Sequence, residues 1–230
     1  MNPSSPWYLL VSPPADAARN MALDHALLAT AAERGRPVLR FYSWTEPAAS
    51  FGYFQSHAAL AALTPLRPLV RRPTGGGLVP HLADWTYSVT APPGSDWYAL
   101  RATASYERVH DWVRQAFLRL GVAAELAPCC RPEAPGQCFV GYEKSDVLWH
   151  DRKIAGAAQR RTKDGLLIQG SVQPPPLPLA RAAWEAAMGA VGADGAGIAW
   201  TDFPADAAFL ARADALETAC YRQSAYHQRR

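Results

Sequence analysis

Short apolar runs, several of them with a two-residue period, predict β-strands along most of the chain. Successive side chains of a strand point to opposite faces of a sheet, and β-branched and aromatic residues fit that environment. The pattern indicates strands at residues 7–11, 38–44, 69–72, 78–79, 85–90, 142–150, 154–158 and 166–172. Turns at Asp151-Arg152 and Lys163-Asp164-Gly165 separate the last three segments, so we expect them to pair as hairpins.

Two longer segments show the spacing of amphipathic helices. Residues 16–34 start at Asp16, and Gly35 to Pro37 provides the stop. In residues 105–120 the apolar positions fall on one side, and Gly121 follows as a cap. Further helical segments are predicted at residues 180–188 and 204–221, after a run of prolines at 174–178.

The first predicted helix carries the polar residues Asn20, Asp24 and His25 among its apolar positions. Polar residues of an amphipathic helix usually lie on the side away from the core. We therefore expect these three side chains on a solvated face.

Three consecutive glycines, Gly75, Gly76 and Gly77, lie between two predicted strands. Each glycine costs ordering entropy and contributes no side chain to a core, and a simple turn would need only one or two. A backbone without Cβ atoms can approach a ligand closely and direct its N–H groups at it. Because Arg71 and Arg72 add positive charge just upstream, this stretch is a candidate binding site.

The stretch RRPTGGGLVPH followed by TYSV resembles the lipoate-binding motif of the biotin/lipoate protein ligase and octanoyltransferase superfamily. Three further segments resemble other blocks of that family in the same order: NMALDHALL at residues 20–28, FYSWTEPAASFGYFQ at 41–55 and RKIAGAAQRR at 152–161. The resemblance implies an α+β protein of the class II biotin/lipoyl synthetase-like fold, with a mixed, mostly antiparallel sheet packed by helices. We expect a catalytic domain at residues 1–176 and a helical C-terminal tail at 177–230 packed on the same domain.

Cys138 and Lys153 are the predicted catalytic pair. A thiolate cleaves acyl thioesters readily, and a nearby cation stabilises both the thiolate and the oxygen of the reacting carbonyl. In octanoyltransferases that use a cysteine, a Cys-Phe pair stands at a similar separation from the family's lysine. In this chain Cys138-Phe139 precedes Lys153 at a similar separation in sequence. The alternative for Cys138 is a buried small hydrophobic residue.

The resemblance also implies a substrate-binding set. Its members come from three of the four matching blocks and from the strand that follows them: Tyr53, Arg71, Arg72, Thr74, Gly75, Gly76, Gly77, His81, Ala155, Gly156, Gln169 and Gly170. We expect the acyl tail to lie among Tyr53, Phe54, Leu78 and Val79.

The sequence departs from the family at three positions. Gln169 stands where the family usually has a histidine, and Leu82 stands where aspartate is frequent. Many cysteine-type octanoyltransferases have arginine at the position of Gly77, and glycine there resembles the ligases. Glutamine forms hydrogen bonds but does not titrate, so no acid–base role is expected of it. The chain thus combines ligase-like and transferase-like features.

We interpret the chain as an octanoyl or lipoyl transferase without cofactor or metal. The acyl donor would be octanoyl-acyl carrier protein, and the acceptor a lysine of a lipoyl domain or of glycine-cleavage H protein. One alternative is an ATP-dependent lipoate or octanoate ligase, which would require ATP and Mg²⁺. A second alternative is a non-catalytic binder of lipoyl proteins or acyl chains. A biotin ligase is disfavoured because the arginine-rich GRGRxGR form is absent from the glycine block.

Composition limits the remaining classes of function. The 230 residues are 49% apolar and carry a net charge of +3, too small and scattered to indicate nucleic-acid binding. No stretch approaches the roughly 20 apolar residues that span a bilayer, and the start lacks the features of a signal peptide. The four cysteines fit neither a secreted framework nor, together with His150, a zinc site, so we expect free thiols in the cytoplasm.

Overall fold

The computed structural model describes residues 5–132, 139 and 141–229. In chain order its strands are β1 (Ser5–Val11), β2 (Val38–Tyr42), β3 (Ala48–Phe51), β4 (Leu69–Arg71), β5 (Val79–His81), β6 (Trp85–Ala91), β7 (Glu125–Leu126), β8 (Arg131–Pro132), β9 (Gly141–Tyr142), β10 (Val147–Trp149), β11 (Arg152–Thr162), β12 (Gly165–Val172) and β13 (Ile198–Asp202). The helices are α1 (Ala17–Arg34), α2 (His57–Ala61), α3 (Asp96–Ala99), α4 (Ala102–Arg119), α5 (Arg181–Ala196), α6 (Ala207–Leu216) and α7 (Ser224–Gln228), with a π-helical segment at Glu217–Tyr221.

The larger sheet has the strand order β13-β1-β2-β6-β12-β11-β10-β7. Strand β1 is parallel to both of its neighbours, β13 and β2. The remaining neighbouring pairs of this order are antiparallel. The predicted α+β class with a mixed, mostly antiparallel sheet is therefore confirmed.

Helices cover both faces of this sheet, and strand β2 shows how the sequence divides them. Leu39 and Phe41 belong to a core cluster that contains Trp112 of α4 and Trp184 of α5. Val38, one residue out of phase with Leu39, packs with α1 and α6 in a different cluster. The two-residue period of β2 thus assigns α4 and α5 to one face and α1 to the other. Within the described ranges, no helix is both long and apolar enough to cross a bilayer.

Two tight hairpins join β10, β11 and β12. His150 and Asp151 between β10 and β11 have φ angles of 47° and 60°, as a type I′ turn requires. Between β11 and β12, Thr162 lies opposite Gly165, so the loop contains two residues. Both predicted hairpins are confirmed, and their register places Gln169 of β12 between Ala158 of β11 and Ser88 of β6.

A second sheet of order β4-β3-β5 holds the glycine-rich stretch. Strand β3 runs parallel to β4 and antiparallel to β5, and the triple glycine lies in the connection between β4 and β5. Because both ends of this connection are anchored to β3, the glycines are presented at a defined place beside the larger sheet.

The C-terminal residues contribute a strand as well as helices. Strand β13 pairs in parallel with β1, with Trp200 opposite Trp7. The predicted helical segments of the tail, at residues 180–188 and 204–221, did not include this strand. The sequence pattern is weak there because Ile198 is the one residue of β13 that is fully buried, as expected for an edge strand.

The polar residues of α1 do not form a solvated face. Asn20 and Asp24 are completely buried, and His25 is half-buried. The Asp24 carboxylate accepts hydrogen bonds from Arg40 Nη1 and Ser88 Oγ, both at 2.7 Å, and Asn20 Oδ1 accepts one from Arg40 Nη2 at 2.9 Å. The prediction failed because the inward-facing residues of β2 and β6 opposite α1 are themselves polar.

Removing the Asp24 carboxylate should strongly destabilise the fold. The Arg40 guanidinium is fully buried, so an Asp24→Ala variant leaves an uncompensated charge, which costs about 3–5 kcal/mol. Urea unfolding followed by circular dichroism measures this loss. Asp194→Ala, which removes an exposed partner of Arg119, is the control and should cost less than about 1 kcal/mol. Equal, small losses in both variants would contradict a structural role for the Asp24–Arg40 pair.

Candidate active site

A cavity of about 370 Å³ lies between the glycine-rich stretch and strands β11 and β12. This volume is within the range of roughly 300–1,000 Å³ typical of small-molecule sites. Its apolar walls include Met21, Tyr42, Trp44, Val79, Phe139, Ala157 and Ala158. Its polar walls include Ser50, Gln55, Arg72, His81, Thr86, Tyr106, Tyr142, Glu143, Lys153, Gln169 and Ser171.

The glycine-rich stretch reaches the cavity through Gly76 and Gly77, two members of the predicted substrate-binding set. Gly76 has a φ of 81°, a conformation that L side chains rarely adopt. A Cβ atom on Gly52 would overlap the carbonyl oxygen of Gly76, so Gly52 allows β3 and the glycine-rich stretch to approach each other. Gly75 lies outside the walls, and its carbonyl accepts a 2.5 Å hydrogen bond from Arg72 Nη2.

The two adjacent arginines have different roles. Arg72 lines the cavity and also donates to the Ser50 carbonyl at 3.2 Å. Arg71, predicted to contact substrate, is fully buried away from the cavity walls. Its guanidinium donates to main-chain carbonyls of two segments, those of Tyr53, Gln55, Tyr226 and His227. Arg71 therefore joins the loop after β3 to the C-terminal helix α7.

Gln169 connects the glycine-rich stretch to the buried charge of α1. Its side-chain oxygen accepts a hydrogen bond from Thr74 Oγ1 at 2.7 Å, and its side-chain nitrogen donates to Asp24 Oδ2 at 2.7 Å. Both Thr74 and Gln169 belong to the predicted substrate-binding set, but Gln169 lines the cavity and Thr74 does not. An amide can donate and accept at the same time, so Gln169 bridges the two groups without titrating.

Lys153 lies at the cavity wall, where Asp146 holds it. The Lys153 ammonium is 2.7 Å from Asp146 Oδ2, and Asp146 is fully buried. The same carboxylate accepts hydrogen bonds from Tyr106 Oη at 2.5 Å and from the Glu143 backbone N–H at 2.7 Å. Sequence reasoning missed Asp146 and Tyr106, since an acidic residue before a strand and a tyrosine on an amphipathic helix are ordinary features.

Two glycines leave room for neighbouring side chains at this wall. A Cβ atom on Gly156 would lie 2.6 Å from Lys153 Cε and 2.8 Å from its Nζ. A Cβ atom on Gly170 would overlap the ring of Tyr87. Both glycines, which belong to the predicted substrate-binding set, line the cavity. Gly156 in particular allows the Lys153 ammonium to reach Asp146.

His81 is the centre of a second polar group on the cavity wall. Its Nε2 is 2.8 Å from Ser50 Oγ, and its Nδ1 is 2.8 Å from Asp84 Oδ2. Asp84 Oδ2 also accepts a 2.7 Å hydrogen bond from Ser171 Oγ. The imidazole stacks on the Trp44 ring with centroids 3.8 Å apart. His81 was a predicted site residue, whereas Ser50 and Asp84 were not singled out.

Several residues that the resemblance assigned to the substrate lie elsewhere. Phe54 is 73% exposed, and Tyr53, beside the Arg160 and Arg229 guanidinium groups, is not part of the cavity wall. Leu78 and Ala155 are buried in core clusters. Of the four residues predicted around the acyl tail, Val79 is the one that lines the cavity.

The predicted nucleophile, Cys138, lies outside the described residues. Its successor in sequence, Phe139, lines the cavity, and the Phe139 ring centroid is 5.2 Å from Lys153 Nζ. Cys129 and Cys130 are free and exposed, and Cys220 is half-buried. None of these three lines the cavity.

His110 is a fully buried histidine close to Tyr106, Asp146 and Lys153. Its ring meets the edge of Tyr106 with centroids 4.1 Å apart. Burial lowers the pKa of His110 from 6.5 to about 4; the Asp146 carboxylate opposes this shift and the Lys153 ammonium adds to it. The imidazole is therefore neutral around pH 7, and the charges of this region are those of Lys153 and Asp146.

Comparison with known families gives a match over most of the chain. Residues 16–173 match the family described as "Lipoyl protein ligase A/B catalytic domain". The chain is 33% identical over 179 residues to octanoyltransferase LipM of an Exiguobacterium species, covering 72% of this chain and 65% of that one. It is 34% identical over 179 residues to LipM of Bacillus subtilis, covering 72% and 64%. The match thus spans slightly less than two thirds of these relatives.

Two solved structures that share this fold are lipoate protein ligases. A lipoate-protein ligase A bound with ATP superposes with a TM-score of 0.79 at 20% identity, covering 96% of this chain and 98% of that one. A bipartite lipoate protein ligase from Thermoplasma acidophilum has a TM-score of 0.72 at 18% identity, covering 98% and 97%. At these identities the likeness concerns the fold, and it confirms the predicted fold class.

Buried His110 should make the protein less stable in mild acid. The folded chain holds His110 neutral down to about pH 4, whereas in the unfolded chain His110 binds a proton below about pH 6.5. The stability that is present at pH 7 is therefore lost as the pH falls from about 6.5 to about 4. The full shift corresponds to about 3 kcal/mol. Urea unfolding between pH 7 and pH 4 should show a shallower loss for His110→Leu than for the unsubstituted chain. Parallel pH profiles for the two would contradict this prediction.

Proposed function

Because the chain belongs to the lipoyl protein ligase A/B catalytic domain family, we propose that it is an acyltransferase for octanoyl groups. The donor is octanoyl-acyl carrier protein, and the acceptor is a lysine of a lipoyl domain or of glycine-cleavage H protein. The relatives named octanoyltransferase support this choice over ligation. The observation that carries it is the Lys153 ammonium, held by Asp146 at the cavity wall beside Phe139, the sequence neighbour of Cys138.

In the first step, the Cys138 thiolate attacks the carbonyl carbon of the donor thioester. A bond forms between the cysteine sulfur and that carbon, and the bond to the carrier's sulfur breaks. The released thiolate takes up a proton, and the octanoyl group remains on Cys138 as a new thioester. Lys153 stabilises negative charge on the attacking sulfur and on the carbonyl oxygen, as an ammonium in a partly buried site does effectively.

In the second step, the neutral ε-amine of the acceptor lysine attacks the acyl-enzyme. An amide bond forms, the bond to Cys138 breaks, and the cysteine thiol is restored. The route consumes no ATP and needs no metal. Asp146 acts as a positioning residue because it holds the Lys153 ammonium at the wall throughout both steps.

The cavity is suited to a short acyl chain. Met21, Tyr42, Trp44 and Val79 provide an apolar side, and the volume of about 370 Å³ suits a ligand of this size. Gly76 and Gly77 bring bare main chain to the same space. The chain length is set by these walls, since each additional methylene must find apolar surface.

Replacing Cys138 by alanine should abolish the covalent intermediate. Without the sulfur the transfer reaction has no nucleophile. Peptide mass spectrometry after exposure to octanoyl-acyl carrier protein should therefore show the octanoyl thioester on the Cys138 peptide of the unsubstituted chain, and Cys138→Ala should deliver no octanoyl group to the acceptor. Cys130→Ala removes an exposed thiol outside the cavity wall and serves as the matched control, with the adduct retained.

An octanoyl group still delivered to the acceptor by Cys138→Ala would assign the nucleophile of the transfer reaction elsewhere. Pyrophosphate release from ATP in the presence of free octanoate or lipoate, with no adduct from the carrier thioester, would instead identify an ATP-dependent ligase. Tight acyl binding without either product would identify a non-catalytic binder.

Replacing Asp146 by asparagine should slow acyl-enzyme formation by about 10–100-fold. The loss of a charged hydrogen-bond partner of Lys153 corresponds to about 1.5–3 kcal/mol. Rapid-quench measurement of adduct formation should show a lower maximal rate with little change in the half-saturating donor concentration. Asp151→Asn, an exposed acid at the β10–β11 turn, should retain the original rate. A changed half-saturating concentration at unchanged maximal rate would assign Asp146 to donor binding.

A further inference from the structure

The group around His81 has the connectivity of a nucleophile, a base and an orienting acid. A serine hydroxyl and a histidine nitrogen at 2.8 Å lie within the hydrogen-bond range of about 2.6–3.2 Å for activation of a nucleophile. The other ring nitrogen, Nδ1, lies 2.8 Å from the Asp84 carboxylate. Because a carboxylate accepts hydrogen bonds, Nδ1 carries the proton and donates to it, and Nε2 is left to accept a hydrogen bond from the Ser50 hydroxyl. The order of hydrogen bonds from Ser50 through His81 to Asp84 is that of a serine hydrolase triad.

We propose that Ser50, His81 and Asp84 hydrolyse short-chain acyl esters and thioesters that enter this cavity. Ser50 is the nucleophile, His81 is the general base and acid, and Asp84 orients the imidazole. This activity uses neither Cys138 nor an acceptor protein, so it is independent of the transfer reaction proposed above.

The environment of each member supports its role. Asp84 is buried, and its Oδ1 has no hydrogen-bond partner within the described part of the chain, so the carboxylate keeps capacity to balance a charged imidazole. The stacked Trp44 ring fixes the plane of His81, which keeps both nitrogens aligned with their partners. Ser50 and His81 both line the cavity.

Arg72 provides the positive charge that the reaction requires. Its Nη1 lies 3.4 Å from Ser50 Oγ and 3.2 Å from the Ser50 carbonyl oxygen. A guanidinium on this side directs the serine proton towards His81, because the hydroxyl oxygen faces a donor. The same charge stabilises the oxyanion that develops when Ser50 adds to an acyl carbonyl.

Hydrolysis then proceeds in two balanced steps. Ser50 Oγ bonds to the acyl carbon while its proton passes to His81 Nε2, and the ester or thioester bond breaks as the leaving alkoxide or thiolate takes that proton. Water next attacks the serine ester and gives a proton to His81. The bond to Ser50 breaks, the hydroxyl regains its proton, and the free carboxylic acid leaves.

The test uses the full chain carrying Cys138→Ala, so that the sulfur cannot contribute. A fluorophosphonate probe, followed by peptide mass spectrometry, should label Ser50, and p-nitrophenyl octanoate should be hydrolysed. In the same background, Ser50→Ala should lose the label and its hydrolysis should fall to the enzyme-free rate. His81→Ala should do the same. Ser105→Ala, a buried serine of α4 outside the cavity wall, should retain both signals.

The absence of label on Ser50, or undiminished hydrolysis in Ser50→Ala, would overturn the proposal and leave the three residues as a structural hydrogen-bond group. If Ser50→Ala does not fold, the labelled peptide of the chain with Ser50 intact decides the question. The transfer assay with octanoyl-acyl carrier protein and intact Cys138 is read separately, so failure of either reaction is distinguishable from failure of the other.

Discussion

The structure depends on one buried carboxylate, that of Asp24. It accepts hydrogen bonds from Arg40 of β2, Ser88 of β6 and Gln169 of β12, and thus ties α1 to three adjacent strands. Burying a charge of this kind is tolerated only when it is paired and hydrogen-bonded. Through Gln169 the same network reaches Thr74, so the position of the glycine-rich stretch is linked to the interior of the protein.

The cavity wall repeats this arrangement at two further places. Asp146 holds the ammonium of Lys153, and Asp84 holds the imidazole of His81. In both cases a buried acid fixes a cavity-lining side chain, whose orientation then costs little when a ligand binds. The cavity wall therefore carries two separately supported polar groups, one around the Lys153 ammonium and one around the His81 imidazole and the Ser50 hydroxyl.

Much of the fold could be predicted because the strands and long helices have strong local signals. The periods of β6, β12, α1 and α4, and the turns of the two hairpins, are encoded by residues adjacent in sequence. Edge strand β13 and the burial of Asn20 were missed. Their states depend on partners far along the chain, namely β1 for the strand, and Arg40 for the asparagine.

By itself, the sequence determined the family and the sheet-rich architecture, and it singled out the glycine-rich stretch and Lys153 as candidate site residues, since these follow from ordered motifs and residue types. Only the tertiary structure decided which of the paired arginines faces the cavity and which acids support the site. Arg71 and Arg72 are equivalent as neighbours in sequence, but Arg71 ends β4 and Arg72 follows it, and their side chains take opposite directions. Arg71 therefore holds α7, and Arg72 lines the cavity. Asp84 and Asp146 acquire their roles because folding removes them from water beside His81 and Lys153, where an acid must find a partner.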